Sequence, residues 1–246
     1  MNLQLALTRL DKLGQVAKSR RLAQALMLHR VLAGAEHRSV LARDLETVID
    51  IGANRGQFAL AVRRWASKAR VVSFEPLPGP ASVLRNVFSG DDHVLLHQAA
   101  IGPRPEHRMI HVSGRDDSSS LLPISSVQTT MFPGTGEVAT TEVRVGPLEE
   151  FITADELRSP AMLKLDVQGF EYEALIGCES MLPLFDWVYC ECSFVELYSG
   201  QKLASEVIDW VAERGFALDG VYNPAYDRYG QAVQADFLFL RRGARR

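Results

Sequence analysis

Two kinds of hydrophobic pattern alternate along the chain. Short apolar runs rich in β-branched and aromatic residues predict seven strands, at residues 47–51, 70–75, 93–101, 162–167, 187–194, 216–222 and 235–240. Apolar positions that recur every three or four residues predict helices between most of them, at 57–67, after Pro80, at 172–184 and at 204–214. Strands and helices in this order favour a mostly parallel sheet covered on both faces. The last two strands have no helix between them, so one edge strand should be antiparallel.

Two stretches depart from this alternation. Residues 3–33 have the helical spacing of leucine and alanine, so residues 1–44 are predicted to form an N-terminal helical extension before an α/β domain at 45–246. Residues 102–146 are rich in Ser, Pro and Gly and contain only short strand-like pieces, at 109–112 and 141–145. We interpret them as an insertion of loops and short strands, and long loops of this kind often have a function.

The composition is that of a globular protein. Of the 246 residues, 47% are hydrophobic and 23% are charged, which excludes collagen-like and disordered classes. No apolar run approaches the ~20 residues of a membrane span, and the first residues lack the apolar block of a signal peptide. Because Cys178, Cys190 and Cys192 offer no second pair at metal-ligand spacing, we expect reduced core thiols and a cytoplasmic protein.

Formal charge is distributed unevenly along the chain. Residues 1–44 carry +5 and residues 241–246 carry +4, which leaves −12 on the body. An acidic body argues against nucleic acid as a partner, because a nucleic-acid groove needs basic residues along one face. Two interpretations of the basic ends remain open: peripheral contact with an anionic inner membrane face, and an ordinary solvated surface.

The first strand leads into a glycine loop, Asp50-Ile51-Gly52-Ala53-Asn54-Arg55-Gly56, and then into a helix. This is the place for a nucleotide in a doubly wound sheet. The G-x-N-x-G spacing differs from that of dinucleotide-binding loops, and no G-K-[ST] is present to hold a triphosphate. Asp50 could attract the cationic end of a ligand, and Glu75, at the second strand tip, is placed to accept both hydroxyls of an unphosphorylated ribose. Together these residues indicate S-adenosylmethionine as the cofactor.

A second group of charged residues follows the fourth strand, in L-K-L-D-V-Q-G-F-E at 163–171. Lys164 and Asp166 are two residues apart on a strand and therefore point to the same side. Asp166 falls at the carboxyl end of the sheet, while Glu171 lies in the first turn of the next helix and complements its dipole. A buried lysine is costly unless it is paired, and Glu191 on the neighbouring strand is the expected partner. A structural ion pair and a catalytic role both remain open for these side chains.

From about residue 45 to 240 the sequence resembles the FkbM-type S-adenosylmethionine-dependent methyltransferases. The motifs that carry the resemblance are D-I-G-A-N-R-G at 50–56, V-S-F-E-P-L-P at 72–78, Q-A-A-I-G at 98–102, S-S-S-L at 118–121, L-K-L-D-V-Q-G-F-E at 163–171 and A-L-I-G-C-E at 174–179. The resemblance implies a Rossmann-like class I methyltransferase fold and O-methylation of a hydroxyl on a sugar, glycolipid or natural product. It also implies a set of cofactor-binding residues: Asp50, Gly52, Ala53, Asn54, Gly56 and Glu75, with Ala99 or Ala100 near the adenine.

Two residues or motifs depart from the family pattern. Gln168 stands where the family often has glutamate, and Leu148-Glu149-Glu150 stands where Leu-Asp-Asp is usual. The first is a tolerated variant. The second puts in doubt any role for the acid at that position.

Methyl transfer to an alcohol is an in-line displacement that also needs a base to take the hydroxyl proton. Asp166 is the first candidate for that base, Glu191 the second and His97 the third, with Lys164 beside them. Asp166 and Glu171 could also bind a divalent cation, but no histidine stands at a fixed spacing from them, so no metal site is predicted.

Three functions remain open at this point. The first is an O-methyltransferase with a small-molecule, glycan or glycolipid acceptor. The second is a methyltransferase acting on protein or nucleic acid; D-V-Q-G stands where amino-methylating enzymes have an N- or D-P-P-Y-like tetrad. The third is a catalytically silent cofactor-binding module. We expect residues 1–44 to cover the acceptor side of the site or to pair with a second subunit.

Overall fold

The computed structural model describes residues 19–244, which contain ten strands and seven α-helices. The strands are β1 (Thr47–Ile51), β2 (Arg70–Phe74), β3 (Val94–His97), β4 (Ala100–Ile101), β5 (Glu106–Ser113), β6 (Glu137–Gly146), β7 (Ala161–Leu165), β8 (Trp187–Ser193), β9 (Phe216–Tyr226) and β10 (Ala232–Arg241). The helices are α1 (Arg20–His29), α2 (Arg38–Leu41), α3 (Gln57–Trp65), α4 (Pro78–Val87), α5 (Ser126–Met131), α6 (Glu171–Gly177) and α7 (Ala204–Glu213). Short 3-10 turns occupy residues 35–37, 116–118, 148–150, 154–156 and 182–184.

The main sheet has seven strands in the order β3-β2-β1-β7-β8-β10-β9. All neighbours from β3 to β8 pair in parallel, whereas β10 is antiparallel to both β8 and β9. The predicted fold class is therefore confirmed. The antiparallel strand lies one position in from the edge, because the β9–β10 hairpin places β10 against β8 and leaves β9 outermost.

Two hydrophobic cores cover the two faces of this sheet. One contains side chains of α6 and α7 packed on Ile49, Leu163 and Val188. The other contains side chains of α1, α3 and α4 packed on Val48 and Met162. Because the central strands are buried on both faces, their sequences are nearly continuous apolar runs, and a polar side chain within them needs a partner.

The insertion forms a small second sheet in the order β4-β6-β5. The strand expected at 93–101 is divided: β3 belongs to the main sheet, while β4 pairs in parallel with β6. The strand-like pieces expected at 109–112 and 141–145 are parts of the longer antiparallel pair β5 and β6. A third hydrophobic cluster, which includes Leu77, Leu121 and Phe170, joins this sheet to the body.

The helix expected at 3–33 falls partly outside the described residues, which begin at 19. The described helix, α1, begins where the Ser19 hydroxyl accepts a hydrogen bond from the Leu22 N–H, and it ends at Arg30, whose backbone is left-handed (φ 57°). Leu22 and Ala25 are buried in the core beside α3, and the Gly34 N–H donates to the Gln57 carbonyl at 3.0 Å. The described part of the extension therefore packs on the body.

The helix expected at 172–184 ends at Gly177, and a 3-10 turn at 182–184 follows, where Pro183 is in the first turn. Within residues 19–244, none of the helices has the length and apolar character needed to cross a bilayer. Cys178, Cys190 and Cys192 are buried and free.

Candidate active site

A cavity of about 340 Å³ lies at the carboxyl ends of β1, β2 and β7, the edge where ligands bind in open α/β sheets. Its wall includes the loops that follow these strands and the segment around Ala99 and Ala100. The N-terminal extension adds Glu36 and His37, and the insertion adds Ser120. The N-terminal extension, the ends of three sheet strands and the insertion therefore meet at one cavity.

The glycine loop approaches the β7 loop so closely that a side chain is excluded. Gly52 has a φ of 77°, and a Cβ atom there would lie 1.8 Å from the Asp166 carbonyl oxygen. Gly56 (φ 91°) begins α3, and a Cβ atom there would lie 2.8 Å from the Phe88 ring. Asn54 is also left-handed (φ 47°), a conformation that asparagine tolerates better than most residues. The G-x-N-x-G spacing thus matches the backbone that this turn requires.

Glu75 presents its carboxylate to the cavity on two backbone donors. The Asn54 N–H donates to Oε2 at 2.9 Å, and the Leu77 N–H donates to Oε1 at 2.8 Å. Burial raises the pKa of Glu75 to about 7, although these two hydrogen bonds act in the opposite direction. Each carboxylate oxygen can accept a further hydrogen bond, so the group fits a ligand with two neighbouring hydroxyls.

Other lining groups also fit the expected cofactor. The side-chain oxygens of Asn54 and Gln57 are buried and accept no hydrogen bond within residues 19–244, and a ligand with N–H or O–H donors would satisfy them. Ala53, Ala99 and Ala100 line the cavity as well. Their small side chains leave room for a flat ring system, so the set of residues fits S-adenosylmethionine.

Asp50 and Lys164 form a buried ion pair beneath the glycine loop. Lys164 Nζ lies 3.0 Å from Asp50 Oδ1, the two residues are register partners on β1 and β7, and Asp50 is 0% exposed. The Lys164 ammonium also donates to the Gly52 carbonyl at 3.1 Å. Burial alone would lower the pKa of Lys164, but the carboxylates of Asp50 and Asp166 outweigh it and raise that pKa above its usual value. Lys164 is therefore a cation at neutral pH and not a proton acceptor.

This arrangement changes three expectations. The ion partner of Lys164 is Asp50, not Glu191, because Lys164 is level with Tyr189 on β8 and Glu191 lies two residues further along. Asp50 does not line the cavity, since its side chain lies on the sheet face under the loop. Gly56 does not line it either, since it faces Phe88.

Asp166 lines the cavity, with 40% of its side chain exposed, and Glu191 lies behind it. Gln168 Nε2 bridges the two carboxylates, at 2.8 Å from Asp166 Oδ1 and 3.1 Å from Glu191 Oε2. Its Oε1 accepts from the Tyr198 hydroxyl at 2.8 Å. Burial, followed by the nearby carboxylates of Asp166 and Asp236, raises the pKa of Glu191 well above its usual value. Of these two acids, only Asp166 faces the cavity.

His97, the third candidate for the base, and Glu171, considered as a ligand of a divalent cation, lie outside the cavity. His97 stacks on Phe74, with ring centroids 5.1 Å apart, and does not line the cavity. Glu171 is buried and accepts from the backbone N–H groups of Val167 (2.9 Å) and Gly169 (3.2 Å), which fixes the turn after β7. Within the described residues no group of three or more His, Cys, Asp or Glu side chains is arranged to hold a metal ion.

The structure also brings to the cavity a group that sequence reasoning missed. His37 lines the wall, and its Nδ1 lies 2.9 Å from the Tyr189 hydroxyl. That hydroxyl donates to Asp236 Oδ2 at 2.7 Å, and the Asn223 amide donates to the same oxygen at 2.7 Å. In the sequence, only the polar residues Tyr189 and Asp236 within the apolar strands β8 and β10 could have indicated this group. His37 has no local signal at all.

Comparison with known proteins places this cavity in context. A family model described as "Methyltransferase FkbM domain" matches residues 50–218. The chain is 27% identical over 201 residues to a 2-O-methyltransferase, NoeI, of Sinorhizobium fredii (strain NBRC 101917 / NGR234). That match covers 77% of this chain and 79% of the relative.

Solved structures with similar folds include two that contain S-adenosylmethionine. Fibrillarin of Aeropyrum pernix is 10% identical, with a TM-score of 0.47, over 81% of this chain and 68% of that protein. The magnesium protoporphyrin IX methyltransferase of Synechocystis PCC 6803 is 11% identical, with a TM-score of 0.45, over 83% of this chain and 76% of that protein.

Proposed function

This chain belongs to the FkbM methyltransferase family and is an S-adenosylmethionine-dependent methyltransferase, and on that premise we propose that it methylates a hydroxyl group of a sugar, glycolipid or natural product. The observation that carries the proposal is one continuous cavity that is lined both by the Glu75 carboxylate, which follows β2, and by the Asp166 carboxylate, which follows β7. The relative from S. fredii, a 2-O-methyltransferase by name, supports a hydroxyl acceptor.

When bound, the cofactor supplies a methyl group on a positively charged sulfur. Glu75 would accept the ribose hydroxyls, and Asn54 and Gln57 would accept further donors from the ligand. Ala99 and Ala100 would lie beside the adenine. Each of these residues lines the cavity, so their joint role is to hold the cofactor in one orientation. In a displacement reaction, such positioning supplies much of the acceleration.

The charges around the cavity argue against an anionic acceptor. Asp116, Asp117 and Asp166 line the wall, and Lys164 is the sole Lys or Arg among the lining residues that the structure describes. Lys164 is already paired with Asp50, so it is not available to bind a phosphate or carboxylate of the acceptor. A sugar hydroxyl suits this wall, because it can donate to the Asp166 carboxylate and be oriented by it. Nucleic acid does not suit it.

We test this function with a methyl-transfer assay on sugars and glycolipids with free hydroxyls, using S-adenosylmethionine that carries a deuterated methyl group. Mass spectrometry locates the label on oxygen. For Asp166→Asn, which is nearly isosteric, turnover should fall about 10²-fold because the acceptor hydroxyl loses the carboxylate that orients it, while cofactor affinity by calorimetry should be unchanged. Asp209→Asn, the same substitution at an exposed position of α7, should retain full turnover.

Label found on nitrogen of proteins or nucleic acids and on no hydroxyl acceptor would contradict the proposed function. Equal turnover by Asp166→Asn would contradict only the role of Asp166 in orienting the acceptor.

A further inference from the structure

We propose that His37 is the catalytic base of the transfer, and that Tyr189 and Asp236 are positioning residues that set the proton on its ring. This inference rests on the proposed function, since it concerns the proton of the acceptor hydroxyl. It assigns a role in the chemistry to the N-terminal extension, which packs beside the cavity and places His37 in its wall.

The hydrogen bonds determine which nitrogen of His37 carries the proton. Asp236 Oδ2 accepts from two donors, the Tyr189 hydroxyl at 2.7 Å and the Asn223 amide at 2.7 Å. The single proton of the Tyr189 hydroxyl is therefore used, so its oxygen acts as an acceptor, both for the Asn223 amide at 3.3 Å and for His37 Nδ1 at 2.9 Å. Nδ1 thus carries the proton of the neutral ring, and Nε2 keeps a free electron pair.

The surroundings of the ring leave Nε2 open. Within residues 19–244, His37 makes its hydrogen bond through Nδ1 and none through Nε2, and 17% of its side chain remains exposed. Phe58 contacts the ring edge-on at a centroid distance of 5.1 Å, and Tyr189 does so at 5.6 Å. A Cβ atom on Gly34 would lie 2.6 Å from His37 Cδ2 and 3.2 Å from Nε2. A side chain at Gly34 would therefore collide with this edge of the ring, and glycine avoids that collision.

The sheet order places His37 away from the ribose-binding carboxylate. Glu75 follows β2, whereas the hydrogen-bond partners of His37 lie on β8 and β10. In the order β3-β2-β1-β7-β8-β10-β9, these strands are on opposite sides of β1 and β7. His37 thus stands with Asp166 at the acceptor end. Asp166 is the weaker candidate for the base, because Gln168 donates to its Oδ1 and Lys164 Nζ lies 3.9 Å from its Oδ2.

The chemistry balances with His37 in this role. As the acceptor oxygen forms its bond to the methyl carbon, the carbon–sulfur bond breaks and its electron pair remains on sulfur. The hydroxyl proton moves to His37 Nε2, and the ring becomes a cation. Its Nδ1 proton still points through Tyr189 to the Asp236 carboxylate, whose negative charge lies 3.7 Å from Nδ1 and stabilises the cation.

The charges that face His37 come from three elements. Burial lowers the pKa of His37, whereas Asp236 on β10, the adjacent Glu36 and Asp166 beyond β7 raise it, and Lys164 on β7 lowers it. The net effect is a pKa below the usual value, so the ring is neutral and able to accept a proton at neutral pH. The rate should therefore increase with pH through the lowered His37 pKa and then become constant.

The test compares His37→Asn with the parent enzyme. The asparagine amide can still donate to Tyr189, but it offers no base, so kcat should fall about 10²-fold or more. At saturating cofactor, where the titration of Glu75 does not limit binding, the acidic limb of the kcat–pH profile should also disappear. Cofactor affinity by calorimetry should stay within twofold. His107→Asn, at an exposed position of β5, is the matched control and should keep both turnover and the pH profile.

A second measurement does not depend on activity. In ¹⁵N-histidine-labelled protein, the signal that His37→Asn removes should show a neutral ring protonated at Nδ1 and a pKa below that of free histidine. In Tyr189→Phe, which keeps the ring packing, the same signal should lose its fixed tautomer, and turnover should fall less than in His37→Asn.

The outcomes separate the two proposals. No transfer to any hydroxyl acceptor by the parent enzyme would overturn the proposed function, and the role of His37 with it. An active parent and an equally active His37→Asn would overturn only the role of His37. A His37 ring protonated at Nε2 in the resting enzyme would do the same.

Discussion

At the β2 end of the cavity, the backbone N–H groups of Asn54 and Leu77 hold the carboxylate of Glu75, and the whole arrangement lies between residues 50 and 77. At the β8 end, by contrast, His37 from the N-terminal extension contacts Tyr189 from β8, which contacts Asp236 from β10. One end depends on two tight turns that are local in sequence. The other depends on side chains that meet only when the sheet and the extension have assembled.

This difference has an energetic consequence. A turn built from glycine and asparagine backbone needs only its own φ angles and the strand beneath it. A network of buried polar side chains is stable only while every member has its partner, since an unsatisfied buried group costs about 1–3 kcal/mol. The β8 end should therefore be the more sensitive of the two to distant changes in packing.

The largest effect is expected at Lys164, which lies under both ends. Lys164→Met leaves Asp50 buried without a counterion, and breaking a buried pair in this way costs about 3–5 kcal/mol of unfolding free energy. Chemical denaturation of the variant measures this loss. The double variant Asp50→Asn/Lys164→Met has no buried charge at this position, so it should recover much of the stability. If the single and double variants were equally unstable, the ion pair would not be the common support of the two ends.

The second largest loss of unfolding free energy is expected when the contact between the β1 loop and the β7 loop is disturbed. Gly52→Ala would place a Cβ atom 1.8 Å from the Asp166 carbonyl oxygen at a φ of 77°. A left-handed residue other than glycine costs roughly 1–2 kcal/mol, and the overlap adds about 1–3 kcal/mol.

Gly90→Ala is a matched control for this substitution. Gly90 has a φ of 80° and no atom within 4 Å of the added Cβ, so its replacement should show the backbone cost alone. The difference in unfolding free energy between the two variants measures how closely the β1 and β7 loops are packed. If both variants lost the same unfolding free energy, the β1 and β7 loops could move apart without cost and would not be closely packed.

The comparison between the two ends also explains what the sequence could reveal. Gly52, Asn54 and Glu75 belong to motifs whose spacing reflects backbone geometry within one crossover, so the cofactor end could be predicted. The fold class followed from the alternation of periodicities, because β1, β2, β7 and β8 are buried on both faces.

The acceptor end could not be predicted in the same way. The distance from His37 to Tyr189 is 152 residues in sequence, and no local pattern records it. The expected Lys164–Glu191 pair was wrong because the exact register of β7 on β1 and β8 decides the partner of Lys164. Periodicity does not specify register. A shift of two residues keeps every side chain on the same face and changes all its neighbours.

The smallest effect is expected at Glu75, the side chain on which the β2 end of the cavity depends. Glu75→Ala leaves two backbone N–H groups and the ribose hydroxyls without an acceptor, which should weaken cofactor binding by about 1–3 kcal/mol. Glu213→Ala, at an exposed position at the end of α7, should bind the cofactor like the parent. Calorimetry gives both affinities, and unchanged affinity in Glu75→Ala would separate Glu75 from the ribose.

The pH dependence of cofactor binding tests the role of the Glu75 carboxylate without a substitution. Because the pKa of Glu75 is about 7 and hydroxyl donors favour the ionised carboxylate, cofactor affinity should fall as the pH falls below about 7, by up to tenfold per pH unit. Glu75→Ala should lack this dependence. In the ligand-free protein the sign is reversed: since the folded pKa is raised above its ordinary value, Glu75 lowers stability progressively as the pH rises from that value to about 7. Glu171, whose pKa burial also raises to about 7, contributes to the stability slope of both proteins, so only the part of each slope that Glu75→Ala removes belongs to Glu75. If that part has opposite signs for binding and for stability, the Glu75 carboxylate is their common cause.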